Sequence, residues 1–187
     1  KPFATEQLLN FINRALENIK LKRENLKLEN KMFHSFELIG ESNQILKIKK
    51  LISKLSSTDS RVLISGPTGS GKELVARKIH KNSNRSKNPF IVMNGALLQS
   101  DNFENELFGS ENKDGSVSYG FLEKASNGTL LIDEVSEIPL DTQAKILRVL
   151  IDQKFKRLNG NNDINVDVRL ICSSSKDLKD EIKIGNF

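Results

Sequence analysis

The chain has 187 residues, 37% hydrophobic and 28% charged, with a formal net charge of +5, which suits one globular domain, or one domain with an attached element, rather than a disordered chain. A single cysteine, Cys172, excludes a disulfide framework and a Cys-rich zinc site, and two separated histidines, His34 and His80, argue against a histidine-rich metal centre. No apolar run approaches bilayer length and no signal peptide is visible, so the chain reads as a soluble cytoplasmic protein with no membrane partner; starting at Lys1 rather than Met, it reads as an excerpt of a longer one.

Residues 1–33 carry seven Lys/Arg against four Asp/Glu, a basic segment that reads first as a solvated helix face and second as an arm for nucleic acid or an acidic partner. Thr5 is a plausible N-cap, and no Gly or Pro follows it until Gly40. Ile12, Ile19, Leu26 and Phe33 recur at heptad d positions, with Leu9, Leu16, Arg23 and Asn30 at a. Polar a positions lower stability but fix register, so the pattern predicts a long linker helix that pairs with its copy in a second subunit. Packing on a neighbouring domain is the other reading of its first half. The spacing divides the chain into this helix, 1–34, and a second region, 35–187.

From residue 36 onward, short apolar runs alternate with helical stretches. Arg61–Ser65, Phe90–Met93, Thr129–Ile132 and Val168–Cys172 read as buried strands, and about 42–56, 72–82 and 140–153 read as helices. Strands apolar throughout and separated by helices predict an α/β fold with a parallel sheet flanked by helices. Phe155–Val166, with Asn159-Gly160 inside it, predicts a β-hairpin inserted before the last strand.

Gly66-Pro67-Thr68-Gly69-Ser70-Gly71-Lys72 follows the first strand and opens a helix, the context a phosphate-binding loop requires. Glycines let the backbone N–H groups converge on phosphate oxygens, and the helix N-terminus adds a favourable dipole. Lys72 supplies full charge for the β and γ phosphates. The next residue, usually Ser or Thr, is Glu73; a carboxylate beside phosphates is repelled, so it should point elsewhere.

Leu130-Leu131-Ile132-Asp133-Glu134 is an apolar strand ending in two carboxylates. Asp133 is placed to hold Mg²⁺ through water, and Glu134 to polarise the water that attacks a γ-phosphate. Joined to the phosphate loop, the pair points to ATP hydrolysis rather than phosphate binding alone. Asn94, ending a strand expected beside the phosphate-loop strand, either restrains Glu134 or is a simple turn former before Gly95. Ser175 lies where a polar side chain could feel the γ-phosphate, in a Ser173-Ser174-Ser175 run that otherwise reads as a loop. Cys172 reads as a small core residue and His80, between Lys78 and Lys81, as part of a solvated helix face. The six basic residues between Lys72 and Lys87 read mostly as soluble surface.

These residues resemble a known family. From about Ile39 to Phe187 the chain is similar to the AAA+ ATPase domain of bacterial enhancer-binding proteins, the NtrC family of sigma-54 activators. The matching segments are Ile39-Gly40-Glu41-Ser42, Gly71-Lys72-Glu73-Leu74-Val75-Ala76-Arg77, Pro89 to Asn94, Glu106-Leu107-Phe108-Gly109, Gly128 to Val135, Gln143 to Leu150 and Val166-Asp167-Val168-Arg169. The resemblance implies a P-loop AAA+ fold and an ATP/ADP and Mg²⁺ site that includes Leu74. It also implies adenine packing on Ile39 and Gly40, and pairing of Asn94 with the catalytic Glu134. Glu after the phosphate-loop lysine is usual in this family. Lys1-Pro2-Phe3 and the helix after it look like the end of a receiver domain, which points to the NtrX-like two-component response regulators. That likeness implies a sensor kinase upstream, a dimer through the linker helix, a larger ring on activation, and DNA binding through a helix-turn-helix outside this chain.

Two departures stand out. Ser110 to Tyr119 replaces the longer loop with Gly-Ala-Phe-Thr-Gly-Ala that grips the sigma factor, and Ser175 replaces the usual sensor asparagine. The chain also ends before the family's arginine fingers, whose absence lowers rates by about 10³–10⁵, so this excerpt is expected to bind nucleotide and hydrolyse it poorly. The preferred reading is a response regulator whose AAA+ domain drives ATP-dependent oligomerisation. The alternatives are an ATP-hydrolysing activator of sigma-54 RNA polymerase and a generic AAA+ remodeller.

Overall fold

The apolar runs pair side by side. In chain order the strands are β1 (Val62–Ser65), β2 (Phe90–Asn94), the short β3 (Gly109–Glu111) and β4 (Val117–Tyr119), β5 (Thr129–Asp133), β6 (Lys154–Phe155), β7 (Ile164–Asn165) and β8 (Arg169–Ser174). The computed structural model describes residues 37–98 and 102–187, together with the helical position Ile19. The chain falls into two units, residues 1–39 and 40–187, and the strands belong to the second. Apart from Ile19, the linker helix expected over residues 1–34 and its pairing lie outside the described residues.

Four strands form one parallel sheet in the order β1-β8-β5-β2. The sequence suggests β2 as the neighbour of the phosphate-loop strand; instead β8 and β5 stand between them. The physical reason is burial. Thr129, Leu130, Leu131 and Ile132 of β5 are at most 1% exposed, so this strand needs neighbours on both edges and helices on both faces. β1, with Leu63 52% exposed, and the half-buried β2 tolerate the outside positions. The register pairs Ser65 with Ser174, Ile132 with Cys172 and Asn94 with Asp133. All the carboxyl ends of the sheet therefore meet along one edge.

Helices α1 (Asn43–Ser56), α2 (Lys72–Lys81), α3 (Phe103–Phe108), α4 (Phe121–Lys124), α5 (Leu140–Asp152) and α6 (Leu178–Ile184) surround this sheet. Ser42 caps α1 by accepting the Ile45 N–H at 3.3 Å, and Asp177 caps α6 by accepting the Lys179 N–H at 2.8 Å. On one face of the sheet, Leu130, Ile132 and Leu170 join Phe103, Leu107, Phe108, Ile138 and Val149 in the main core. Leu131, between them in β5, points to the opposite face by the strand period of two. There α2 packs against β5 through its buried side, Ala76, Ile79 and His80.

The expected hairpin before the last strand is present as β6–β7. Sequence pattern alone misses α3, α4, α6 and a second hairpin, β3–β4, formed by Gly109 to Tyr119. The Asp114-Gly115 pair is the available signal: the Asp114 carboxylate accepts the Ser116 N–H at 2.9 Å and Gly115 turns with φ +82°. The run at 173–175 is also corrected, because Ser173 and Ser174 continue β8 and are fully buried.

His80 departs from expectation as well. It is 2% exposed, with Nδ1 at 2.9 Å from Thr129 Oγ1 and its ring 5.1 Å from that of Phe90. The helical period explains this: positions 76, 79 and 80 share the inward face, while Lys78 and Lys81 point elsewhere. Burial pushes the imidazole down to about 4, with nearby Arg169 and Arg77 acting in the same direction and a hydrogen bond to the Asn88 backbone opposing them. The native state thus holds His80 neutral, while the unfolded chain takes up a proton below the ordinary 6.5. Stability from this group is complete above pH 6.5 and is lost as pH falls towards 4. Thermal unfolding across that range should show a falling midpoint, with a shallower fall in His80→Gln.

Candidate functional site

The loop between β1 and α2 is tied to the neighbouring strand at its start, where the Gly66 N–H donates to Ser174 O at 3.2 Å. It then turns through Pro67 O, which accepts from Ser70 N at 3.1 Å, and leaves Pro67 to Ser70 exposed. Gly69 and Gly71 take φ of +80° and +87° where the loop leads into α2, the kind of backbone from which anion-binding nests are built. That arrangement suits phosphate. A cleft of about 430 Å³ opens beside the loop, between Leu63, Ser65, Gly66 and Pro67 on one side and Ser175 to Lys179 on the other. A larger groove of about 510 Å³, bounded by α3, α5 and the β6–β7 hairpin, lies among lysines and acids such as Lys145 and Asp163 and shares no residue with this edge.

Lys72, the first residue of α2, is 7% exposed, and its ammonium reaches Gly66 O at 2.9 Å, Pro67 O at 3.4 Å and Glu134 Oε1 at 3.2 Å. A buried ammonium needs such partners to offset its lost hydration. Glu73 turns away to Arg77 at 2.6 Å, as anticipated. Leu74 is half-buried in the same turn of α2. Gly40 opens the second unit, and its carbonyl accepts from Lys49 Nζ at 3.0 Å, while Ile39 is 84% exposed.

Asp133 ends β5 between two neighbours, accepting from Asn94 Nδ2 at 3.2 Å and from Ser173 Oγ. Asn94 therefore does not pair with Glu134, contrary to the expectation from the resemblance. In parallel register Asn94 stands opposite Asp133, and its Oδ1 is occupied by the Ala96 N–H at 2.9 Å. Glu134 leaves the strand with φ +52°, an uncommon conformation for a residue with a side chain. Gly95 makes room for that turn, since a Cβ there would stand 2.5 Å from Glu134 O. The Glu134 carboxylate then accepts the Ser175 N–H at 2.8 Å and hydroxyl at 2.7 Å, opposite Lys72. Burial alone would raise its pKa; the Ser175 hydrogen bonds and the Lys72 ammonium override that and hold it below the ordinary value.

The structure thus brings together Gly66 to Lys72, Asp133, Glu134, Asn94 and Ser175. Ser173 is the member that sequence reasoning misses, although its register beside Asp133 follows once β8 is known to neighbour β5. Among the described residues no group of His, Cys, Asp and Glu could hold a metal by itself. Asp133 nevertheless fits Mg²⁺, which is commonly bound by one carboxylate together with phosphates and water. A methyl group on Gly71 would meet no atom nearer than 3.9 Å, so the positive φ there isolates a purely conformational cost. Gly71→Ala should lower stability by about 1–2 kcal/mol in urea unfolding.

Comparison with known proteins agrees with this geometry. The family model described as the Sigma-54 interaction domain matches residues 38–187. The nitrogen assimilation regulatory protein NtrX of Azorhizobium caulinodans is 40% identical over 188 residues, which cover 100% of this chain and 41% of that protein. Crystal structures of NtrX from Brucella abortus in complex with ADP and with ATP each share 43% identity with this chain, at TM-scores of 0.82 and 0.81, and cover 100% of it and 42% and 40% of their own chains. The chain thus spans about two fifths of the length of these relatives. With the phosphate loop, the acidic strand end and the parallel sheet in place beneath that match, the chain belongs to the Sigma-54 interaction domain family, an α/β P-loop fold of AAA+ type.

Proposed function

We propose that residues 40–187 bind ATP and ADP with Mg²⁺ at the carboxyl edge of the sheet. The observation that carries this reading is the convergence of Lys72 and Glu134, 3.2 Å apart, beside a loop in which Gly69 and Gly71 take positive φ. The ADP and ATP complexes of the Brucella abortus relative support the same ligand class. The backbone amides of Gly66 to Lys72 and the α2 dipole would hold the phosphates, and the Lys72 ammonium would neutralise their charge. Asp133 would hold Mg²⁺ through water, and Mg²⁺ would supply charge neutralisation across the phosphates. Glu134, freed from its present partners, would take the proton of an attacking water.

For the whole protein, we propose a cytoplasmic two-component response regulator that controls transcription, a reading supported by the similarity to the nitrogen assimilation regulatory protein NtrX. It would answer a sensor kinase, dimerise through the linker helix, assemble into a larger ring with ATP and bind DNA through a helix-turn-helix. The short β3–β4 hairpin, whose sequence carries no Gly-Ala-Phe-Thr-Gly-Ala, favours a nucleotide-driven assembly module. The second reading, an ATP-hydrolysing activator of sigma-54 RNA polymerase, rests on the family match. In nucleotide titrations Lys72→Ala should weaken binding at least tenfold, given the charge-assisted contacts it removes. In the full-length protein Glu134→Gln should retain ATP binding and lose at least 100-fold in turnover. Wild-type turnover with this loss supports a motor; binding without turnover in either protein leaves the assembly module.

A further inference from the structure

An ammonium has three N–H donors, and Lys72 already has three acceptors in reach: the carbonyls of Gly66 at 2.9 Å and Pro67 at 3.4 Å and the Glu134 carboxylate at 3.2 Å. The carbonyls belong to the loop that carries the lysine. The carboxylate arrives from β5, across the site, and is the partner that an incoming anion would displace by like-charge repulsion. What fixes it there is Ser175, whose amide and hydroxyl both donate to Oε2, at 2.8 Å and 2.7 Å, while Oε1 faces Lys72. Ser175 lies just beyond the last residue of β8, on an exposed turn before α6, so its hydroxyl contributes nothing to the core. Asn94 is engaged by Asp133 and Ala96 and takes no part.

We infer that Ser175 is a positioning residue that latches Glu134 onto Lys72, so that the site's own carboxylate occupies the cation phosphate needs and nucleotide must break this contact to bind. The inference rests on the reading of the site as an ATP and ADP pocket. The latch opposes binding and keeps Glu134 turned from its role as base until phosphate takes Lys72. A truncated Ser175 side chain leaves the carboxylate to Lys72 and the Ser175 backbone amide alone, which weakens the latch without touching the phosphate loop.

Fluorescent ADP and ATP analogues, titrated with Mg²⁺ into this chain, test it. Ser175→Ala and Glu134→Ala should each bind about 3- to 10-fold more tightly than wild type, the range expected when one hydrogen bond or ion pair no longer has to be broken. Ser175→Thr, which keeps the hydroxyl, should bind as wild type does. Combined with Glu134→Ala, Ser175→Ala should add nothing, because the latch has no second member. Unchanged or weaker binding by Ser175→Ala overturns the latch. So does a Ser175→Ala effect that persists at full size beside Glu134→Ala, since the hydroxyl would then act without Glu134. If no variant and no wild-type protein binds either nucleotide, the ATP reading falls and the latch with it; binding without coupling removes the latch alone.

Discussion

The ion pair between Lys72 and Glu134, with side chains 7% and 14% exposed, is the contact on which the geometry of this edge depends. Either charge alone would be costly to shield from water, and truncating one partner of such a pair strands the other. To make the contact, α2 must begin at Lys72, β5 must end at Asp133, and the turn after β8 must bring Ser175 back over the site. Those conditions are met only because β8 lies between β1 and β5 in the sheet. The left-handed backbone of Glu134 and the close approach of Gly95 to it follow from the same demand.

Adjacent carboxylates acquire different surroundings through this arrangement. Asp133 remains within the strand, in the plane of its neighbours, and is held by Asn94 and Ser173. Glu134 turns out of the strand and is held by Ser175 and Lys72. Separation of two like acids by environment is a general way to give them different tasks. Neither needs an unusual residue; what distinguishes them is one step along the chain and the turn taken there.

Away from this edge, the two hairpins are joined to each other. Leu158, in the connection of β6–β7, exchanges backbone hydrogen bonds with Gly109 and Glu111 of β3, each at 2.9 Å. Arg157 binds Glu123 at 2.6 Å and Glu111 at 2.9 Å, with its guanidinium 5.3 Å from the Tyr119 ring. The hydrogen bonds it donates to Glu123 and Glu111 hold that guanidinium's pKa above its ordinary value. The segment around Ser110 to Tyr119 is thereby made part of a paired structure, through contacts that are distant in sequence and have no local signature.

Much of the fold and most of the candidate site are legible in the residues alone, where the physics is local. The phosphate loop is marked by Gly66, Gly69, Gly71 and Lys72 because tight backbone turns need glycine; the strands are marked by continuous apolar runs because both their faces are covered. The end of β5 is marked by Asp133 and Glu134 directly after the three apolar residues Leu130 to Ile132. Strand order is not local, and it decides the partners: resemblance assigns Asn94 to Glu134, but register brings it to Asp133, and Ser173 enters the site only because β8 stands beside β5. His80 turns inward because helical phase, rather than its lysine neighbours, decides which face is buried. The order of residues along the chain is thus enough to specify the elements and the chemical groups, since these depend on backbone freedom and hydrophobic pattern over a few residues. Which groups meet is settled only in three dimensions, because it depends on the seating of strands separated by scores of residues.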